Sequence, residues 1–239
     1  MKLPLGKRLT LGVIGIAALA APTVAAGDPG TGGAQAPPPA QTERTLSANG
    51  PQITVSTRAG TMRRKLARFR GSVSPSAAGR TVTIESLDDA TQQWAAIASA
   101  TVNADGTYVA KWRTRLAGEF RVRAVLQSAS QAVAANASPE LAITVHRPAM
   151  ATWYGPGFYG RQTACGIRMT RTLLGVAHRK YKCGTKVAVL YHGRRITVPV
   201  VDRGPFRRGT QYDLTAATAQ ALGFEHTDRL GAIRLHPAP

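Results

Sequence analysis

Short runs in which apolar and polar residues alternate are the feature that most limits what this chain can fold into. Four of these runs, 81–85, 108–113, 120–124 and 141–145, are separated by segments that contain Pro, Gly, Asn or Asp. A period of two is the signature of a β-strand with one buried and one solvated face. About seven strands at this spacing predict an immunoglobulin-like β-sandwich over residues 47–147.

The last third of the chain continues the same pattern and adds one helix. The alternating runs 186–191 and 194–202 flank His192-Gly193, a pair that predicts a hairpin turn. Thr215 is a suitable N-cap for a short helix, and Gly223 would end it. The predicted fold class is therefore mainly β, with a single short helix.

The N-terminus has the layout of a secretory signal peptide over residues 1–26. A basic start precedes the apolar run Leu9–Pro22, and small residues follow it. Because this run is shorter than the roughly 20 residues that a membrane span needs, we predict export with no stable membrane anchor after cleavage. A Gly- and Pro-rich linker over 27–46 leads to the sandwich, and Arg147-Pro148 marks the boundary to a second domain over 150–237.

Basic residues strongly outnumber acidic ones. The chain has 31 Lys and Arg against 12 Asp and Glu, a formal net charge of +19. Such a charge attracts polyanions of any kind, so nucleic acid, anionic lipid and anionic cell-wall polymer fit it equally. An exported protein meets the cell envelope first, and the chain has no recognised nucleic-acid-binding motif. We therefore predict a secreted, extracytoplasmic protein that is associated with the cell wall and does not bind nucleic acid.

The two cysteines, Cys165 and Cys183, both lie in the last third of the chain. In an exported protein such a pair is more often a disulfide than two free thiols. A metal site is the rival interpretation, but the chain has no Cys/His spacing typical of a zinc site. We predict the disulfide and no bound metal.

Asp202 is the first candidate for chemistry. It ends an apolar strand and is followed by a tight turn in the stretch VVDRGPF, positions 200–206. A strand end can hold a carboxylate rigidly while leaving it accessible, as a general acid or base requires. The alternative is that Asp202 caps the turn or pairs with Arg203.

Aromatic residues and a histidine supply further candidates. The stretch ATWYGPGFYG, positions 151–160, sets aromatic rings among glycines, where they could stack on sugars or pack in the core. His178 is a candidate proton carrier, although a single His is usually structural. Asp213, just before the predicted helix, could orient a substrate or support the start of the helix.

These pieces, in this order, resemble the rare lipoprotein A-type double-psi β-barrel family. The matching stretches are ATWYGPGFYGRQTACG, GVAHRKYKCGTKVAVLYHGRRITVPVVDRGPF and YDLTAATAQALGF. The resemblance implies a six-stranded double-psi β-barrel that begins near Ala151. It also implies a lytic transglycosylase that cleaves peptidoglycan glycan strands and forms 1,6-anhydro ends.

Carried over by position, Asp202 takes the acid/base role and His178 is the second polar residue of the site. We expect the glycan to contact the aromatic and polar side chains around them, which are Trp153, Tyr154, Phe158, Tyr159, Arg203, Phe206, Tyr212 and Asp213.

One position departs from the family pattern. The family usually has a Glu directly after the Gly of a Thr-Ala-Ser-Gly segment, and here Ile167 follows Thr163-Ala164-Cys165-Gly166. Loss of a positioned acid or base typically costs about 100- to 10,000-fold in rate. A non-catalytic, expansin-like wall-binding module is therefore the main alternative, and a polyanion binder driven by charge alone is a third. We expect a monomer that needs no cofactor.

Overall fold

The computed structural model describes residues 41–127 and 136–236. Within these ranges the first half of the chain forms β1 (Gln41–Thr42), β2 (Thr45–Asn49), β3 (Thr54–Arg58), β4 (Gly60–Met62), β5 (Ala67–Ser72), a 3-10 helix (Pro75–Ala77), β6 (Thr81–Asp88), β7 (Gln93–Thr101), β8 (Thr107–Trp112) and β9 (Gly118–Leu126). The second half forms β10 (Leu141–Tyr154), β11 (Val176–Ala177), β12 (Lys186–Tyr191), β13 (Arg194–Asp202), β14 (Tyr212–Thr215), α1 (Ala216–Leu222) and β15 (Asp228–Arg234). The predicted signal peptide and most of the predicted linker lie outside the described residues.

Two sheets pack over one apolar core in the first half of the chain. One sheet has the strand order β2-β3-β5-β8, and the other has the order β4-β10-β9-β6-β7. Alternate residues of both sheets face this core, whose largest fully buried members include Phe69, Tyr108, Ile53 and Ile84. These sheets are compatible with the predicted sandwich, while its immunoglobulin-like character stays a prediction. We call this part the sandwich.

Six strands close on themselves to form a barrel in the second half. The ring runs β10-β15-β12-β13-β11-β14 and returns to β10, where β14 pairs in parallel with residues 151–154. Small and branched apolar side chains fill the interior, including Ala151, Val189, Val200 and Leu214. The prediction of a mainly β chain with a six-stranded barrel is confirmed.

The local predictions for this half also hold. His192 and Gly193 adopt positive φ angles of 45° and 75° and connect β12 to β13 as a two-residue hairpin turn. The Thr215 side chain accepts a hydrogen bond from the Thr218 amide at 3.4 Å, and Gly223, with φ of 66°, ends α1. No helix in the described part of the chain is long and apolar enough to span a membrane.

A single strand, β10, belongs to both halves. Residues 141–145 pair with β9, and residues 147–151 pair with β15. The predicted boundary at Arg147-Pro148 therefore falls inside a continuous strand. Pro148 is tolerated there because it pairs with β15 on one side only, before the pairing with β14 begins.

A second connection between sandwich and barrel lies in the segment that is predicted to be a linker. Gln41 and Thr42 form β1, which pairs with Arg194 and Arg195 of β13. Sandwich and barrel accordingly belong to one compact unit.

His146 is fully buried where β10 passes from the sandwich to the barrel. Its Nδ1 donates a hydrogen bond to the carbonyl oxygen of Thr61 at 3.1 Å, and Nε2 has no hydrogen-bond partner among the described residues. Gly231 makes room for it, because a Cβ there would lie 2.8 Å from the His146 Cβ. Burial lowers the pKa of His146 to about 4, so the ring is neutral at physiological pH.

Candidate active site

A β-bulge places Asp202 on the outer face of the barrel. Val200 pairs with Val176 of β11 and faces the barrel core, but the next pair joins Asp202 to Ala177, so Val201 is an extra residue in β13. Simple alternation from Val200 would have pointed Asp202 inwards. Bulges are known to re-aim side chains next to active sites. Here the bulge brings the carboxylate to the rim, where it is half-buried.

Three hydrogen bonds orient the Asp202 carboxylate. Oδ1 accepts from the backbone amides of Ala164 and Arg203, each at 2.8 Å. Oδ2 accepts from the Tyr154 hydroxyl at 3.3 Å. Burial, followed by the charge of Asp202, raises the pKa of Tyr154, so the phenol keeps its proton. Oδ1 is therefore held by two backbone amides, and Oδ2 by one hydroxyl group.

Asp202 is not locked to an arginine. The Arg203 guanidinium turns away and donates to the Tyr181 carbonyl oxygen at 3.0 Å. None of the ion pairs formed within residues 41–127 and 136–236 includes Asp202. The carboxylate is thus fixed in direction but not neutralised.

Asp213 is a second carboxylate on the same outer face. It pairs with Ala177 across one side of β11, while Asp202 pairs with Ala177 across the other. The Thr152 hydroxyl donates to Asp213 Oδ1 at 2.7 Å. Burial raises the pKa of Asp213; the Thr152 hydrogen bond opposes this shift, and the charge of Asp202 adds to it. The negative charge of Asp202 therefore acts on Asp213.

A compact turn at 163–167 covers one side of Asp202. The amide of Thr163 donates to the Ile167 carbonyl at 2.8 Å, which orients the Ala164 amide toward Asp202. The next residue, Cys165, forms a disulfide with Cys183, so the predicted disulfide is confirmed. Ile167, which stands where the family has Glu, is 39% exposed. This turn thus contains no carboxylate, and Asp213 is the second carboxylate beside Asp202.

Arg179 braces the other side of the site. Its guanidinium donates to the carbonyl oxygens of Pro205, Arg207 and Thr210, at 2.8 Å for Arg207 and 3.1 Å for Thr210. This holds the loop that follows Asp202 and leaves Phe206 at its tip 84% exposed. The sequence does not reveal this role, because the three acceptors are backbone atoms and carry no residue signature.

The predicted aromatic residues do not form one surface. Tyr154 and Phe158 pack edge to face, with ring centroids 5.7 Å apart, on the Asp202 side. Tyr159 lies under the guanidinium of Arg171 at 4.8 Å. Trp153 lies between Thr152 and Tyr154 on β10, so its side chain points to the opposite face, and its Nε1 donates to the Glu225 carbonyl at 2.8 Å. Trp153 is predicted to lie with the other aromatic rings, but the structure places it on the opposite face of β10.

His178 and Tyr212 lie in a separate pocket. The His178 ring stacks on Tyr181 at 3.7 Å and lies 5.0 Å from the Tyr212 ring, which is buried in the barrel core. No hydrogen bond joins the His178 ring to the Asp202 carboxylate; the link between them runs from the His178 amide to the Asp202 carbonyl at 3.2 Å. β11 ends at Ala177, and the ring of the next residue, His178, packs on Tyr181 and Tyr212.

The pocket around His178 has a volume of about 800 Å³ and is bordered by Arg147 and Arg234. His178 Nδ1 accepts from the amides of Lys180 and Tyr181 at 3.2 and 3.0 Å, which leaves the ring proton on Nε2. Burial, followed by the charge of Arg179, lowers the pKa of His178. The ring is therefore a neutral hydrogen-bond donor. In the described part of the chain no three His, Cys, Asp or Glu side chains are grouped to hold a metal ion.

Comparisons with known proteins agree with this architecture. Residues 147–236 match the lytic transglycolase domain family. The chain is 39% identical over 125 residues to the probable endolytic peptidoglycan transglycosylase RlpA of Synechocystis sp., covering 51% of this chain and 38% of that protein. It is 48% identical over 75 residues to the protein of the same name from Aquifex aeolicus, covering 30% of this chain and 33% of the relative.

The chain spans only about a third of the length of these two relatives. The similarity to the domain family is confined to the barrel, where the closed ring of six strands, the Asp202 strand end and the Tyr212–Thr215 strand all lie. Residues 147–236 therefore form a domain of the rare lipoprotein A-like double-psi β-barrel family.

Proposed function

We propose that the protein is a lytic transglycosylase that cleaves peptidoglycan glycan strands outside the cytoplasm, with Asp202 as the acid and base. One observation carries this proposal: Asp202 is held at a strand end by two backbone amides and the Tyr154 hydroxyl, partly exposed and without an ion pair to any other described residue. The printed names of the relatives, endolytic peptidoglycan transglycosylases, support the choice of substrate.

The hydrogen bonds define which oxygen of Asp202 acts. Oδ1 already accepts from two amides, so Oδ2, which accepts only from the Tyr154 hydroxyl, is the oxygen proposed to exchange a proton with the substrate. In the proposed reaction Oδ2 gives this proton to the glycosidic oxygen that links N-acetylmuramic acid to N-acetylglucosamine. The bond from that oxygen to the muramic C1 breaks, and the oxygen departs as a hydroxyl group.

The same oxygen then acts as the base. The C6 hydroxyl of the muramic residue bonds to C1, and its proton passes to Oδ2 of Asp202. This closes a 1,6-anhydro ring, restores the protonated acid and consumes no water. The proposed reaction needs one carboxyl group in contact with the substrate, and the end of a β-strand can present such a group.

Asp213 gives the site its second carboxyl group. Two carboxyl groups that share a site bind their last proton more tightly than an isolated Asp does, because both cannot be ionised without repulsion. Burial and the charge of Asp202 both raise the pKa of Asp213. Asp213 therefore holds a proton more readily than an isolated Asp does, and it is a second candidate acid in a site that has Ile167 at the position of the family Glu.

The exposed rings and the His178 pocket are the proposed glycan contacts. Tyr154 contacts Asp202 and packs on the exposed Phe158, and the exposed Phe206 lies on the loop that follows Asp202. Sugar rings can stack on these apolar faces. His178 offers its Nε2 proton to a sugar hydroxyl or amide in the neighbouring pocket. We assign His178 to substrate binding and not to proton transfer, because its ring does not reach Asp202. Tyr212 lines the same pocket as His178, and Trp153 lies on the opposite face of β10 from Tyr154.

Product analysis tests this function. The purified protein, incubated with purified peptidoglycan, is expected to release soluble fragments with 1,6-anhydro-muramic ends, detected by mass spectrometry as one water lighter than hydrolysis products. Fragments with free reducing ends would show a hydrolase instead. If no fragments appear while the protein still pellets with the wall, the expansin-like binding role replaces the proposal.

A further inference from the structure

One face of the sandwich carries only positive charge. The outward residues of the sheet β2-β3-β5-β8 include Arg58, Arg68, Arg70 and Lys111, all exposed, and we call these four the cationic face. None of the four strands contains Asp or Glu. The inward residues alternate with these cations and fill the core, so the exposure of the four side chains follows from the strand period.

The strand register places these cations side by side. Arg68 of β5 pairs directly with Lys111 of β8. Ser56 of β3 pairs with Arg70 of β5. Because β3 and β5 are antiparallel, the next outward residues of this pair, Arg58 and Arg68, stand side by side. Neighbouring strands are about 4.8 Å apart. Like charges directly opposite each other on a sheet are destabilising. Arg58, Arg68 and Lys111 thus form a row of like charge across three strands.

The second sheet of the sandwich is arranged in the opposite way. There Glu85 pairs in register with Arg123, and their charged atoms lie 2.8 Å apart. Arg121 reaches Asp89 at 2.8 Å. Among the ion pairs of the described residues, none involves Arg68, Arg70 or Lys111. The chain therefore neutralises the cations of one sheet and leaves those of the other available.

A groove of about 650 Å³ lies beside the cationic face, and the β12–β13 hairpin of the barrel forms its far wall. Lys65 and Arg229 add two more cations to its lining. The one carboxylate that lines it, Glu43, has a side chain only 8% exposed; it accepts from the Gly60 amide at 3.2 Å and lies 3.7 Å from Arg58. Glu43 thus offsets part of the charge of Arg58 alone.

We infer that the cationic face and this groove bind the carboxylate-bearing peptides of peptidoglycan, and so hold the polymer while the barrel acts on it. The identity of the polymer rests on the proposed function. The planar fork of Arg matches a carboxylate with two parallel hydrogen bonds. Because β10 continues from the sandwich into the barrel without a linker, a polymer held here stays near the same barrel.

This site is separate from Asp202. The groove borders the hairpin that begins β13, and Asp202 ends β13 eight residues later, about 26 Å away for an extended strand. Peptides attached to the glycan strand away from the cleavage point would occupy the groove. The cationic face therefore affects how the wall is held and not the chemical step.

Pelleting with insoluble peptidoglycan tests the inference. The whole chain is used, carrying Asp202→Asn so that the polymer is not consumed, and the wall is first stripped of attached phosphate polymers. We compare R68S/K111S with R80S/R115S, which removes the same charge from two exposed positions off the cationic face. R68S/K111S is expected to bind about fivefold more weakly at low salt, a loss typical of two exposed ion contacts, and the control is expected to bind normally.

A second substrate identifies the ligand. On glycan whose peptides have been removed enzymatically, R68S/K111S is expected to bind as its parent does, because the partner carboxylates are gone. Thermal unfolding of R68S/K111S is expected at an equal or higher temperature, since a like-charge pair has been removed. Three results would each overturn the inference. They are an equal weakening of binding by R80S/R115S, a loss of binding when the phosphate polymers are stripped from the wall, and an unchanged effect of R68S/K111S on peptide-free glycan. Failure of the product analysis would leave these binding results intact.

Discussion

Asp202 and Asp213 flank β11 from opposite sides, and both pair in register with the same residue, Ala177. They are eleven positions apart in a chain that turns through an exposed loop between them. Their shared partner puts both carboxyl groups on the outer face of the barrel. The chemistry proposed for this site depends on that arrangement.

Replacement of Asp202 by Asn should remove the acid while keeping its hydrogen bonds. The Asn side-chain oxygen can still accept from the amides of Ala164 and Arg203. We expect release of anhydro-muropeptides to fall by about 100- to 10,000-fold, with an unchanged unfolding temperature. Timed product release and thermal unfolding measure the two quantities. Retained release by Asp202→Asn would remove Asp202 from the mechanism.

Asp213→Asn should make the protein more stable and less active. Burial raises the folded-state pKa of Asp213 above its unfolded value, so the folded protein favours the protonated form. The stability contributed by that proton is lost as pH rises through the folded pKa, and a neutral Asn avoids the loss. We expect a higher unfolding temperature at pH 7 and a rate about 100-fold lower. Near pH 3, Asp213→Asn and the parent protein should unfold at more similar temperatures.

Removal of the disulfide should loosen the turn that holds Asp202. Cys165 directly follows Ala164, whose amide binds Oδ1 of Asp202. Joint replacement of Cys165 and Cys183 by Ser is expected to cost about 3 kcal/mol in the free energy of unfolding. Denaturant unfolding measures this cost, and release of anhydro products should fall at temperatures where the variant is still folded. Reductant should reproduce both effects in the parent and change nothing in the variant.

His146 should make the fold sensitive to mild acid. Its folded pKa is lowered to about 4 from an ordinary 6.5, so the unfolded chain takes up the proton first. Stability is then complete above pH 6.5 and is lost as pH falls toward 4, by about 3 kcal/mol. The variant His146→Asn, which can still donate to Thr61, should show a flatter profile in that window. Parallel profiles for the two proteins would rule out His146 as the cause.

Local sequence determined much of this protein. Alternation set the strands, His192-Gly193 set the hairpin, and Thr215 and Gly223 set the ends of the helix. Each of these depends on backbone preferences or on neighbours a few residues away. The disulfide between Cys165 and Cys183 also followed from composition and the predicted export. The stretch VVDRGPF, in which a carboxylate ends an apolar strand, made Asp202 a candidate, and the family resemblance supplied its proposed acid/base role.

Only the tertiary structure decided which way these side chains face and what they meet. The bulge at Val201 turns Asp202 outwards, and the parallel register of β11 with β13 brings it beside Asp213 while His178 points away. Pairing between strands far apart in the chain is chosen by the packing of the whole barrel. A shift of one residue reverses every side chain, so no local pattern could have specified the site.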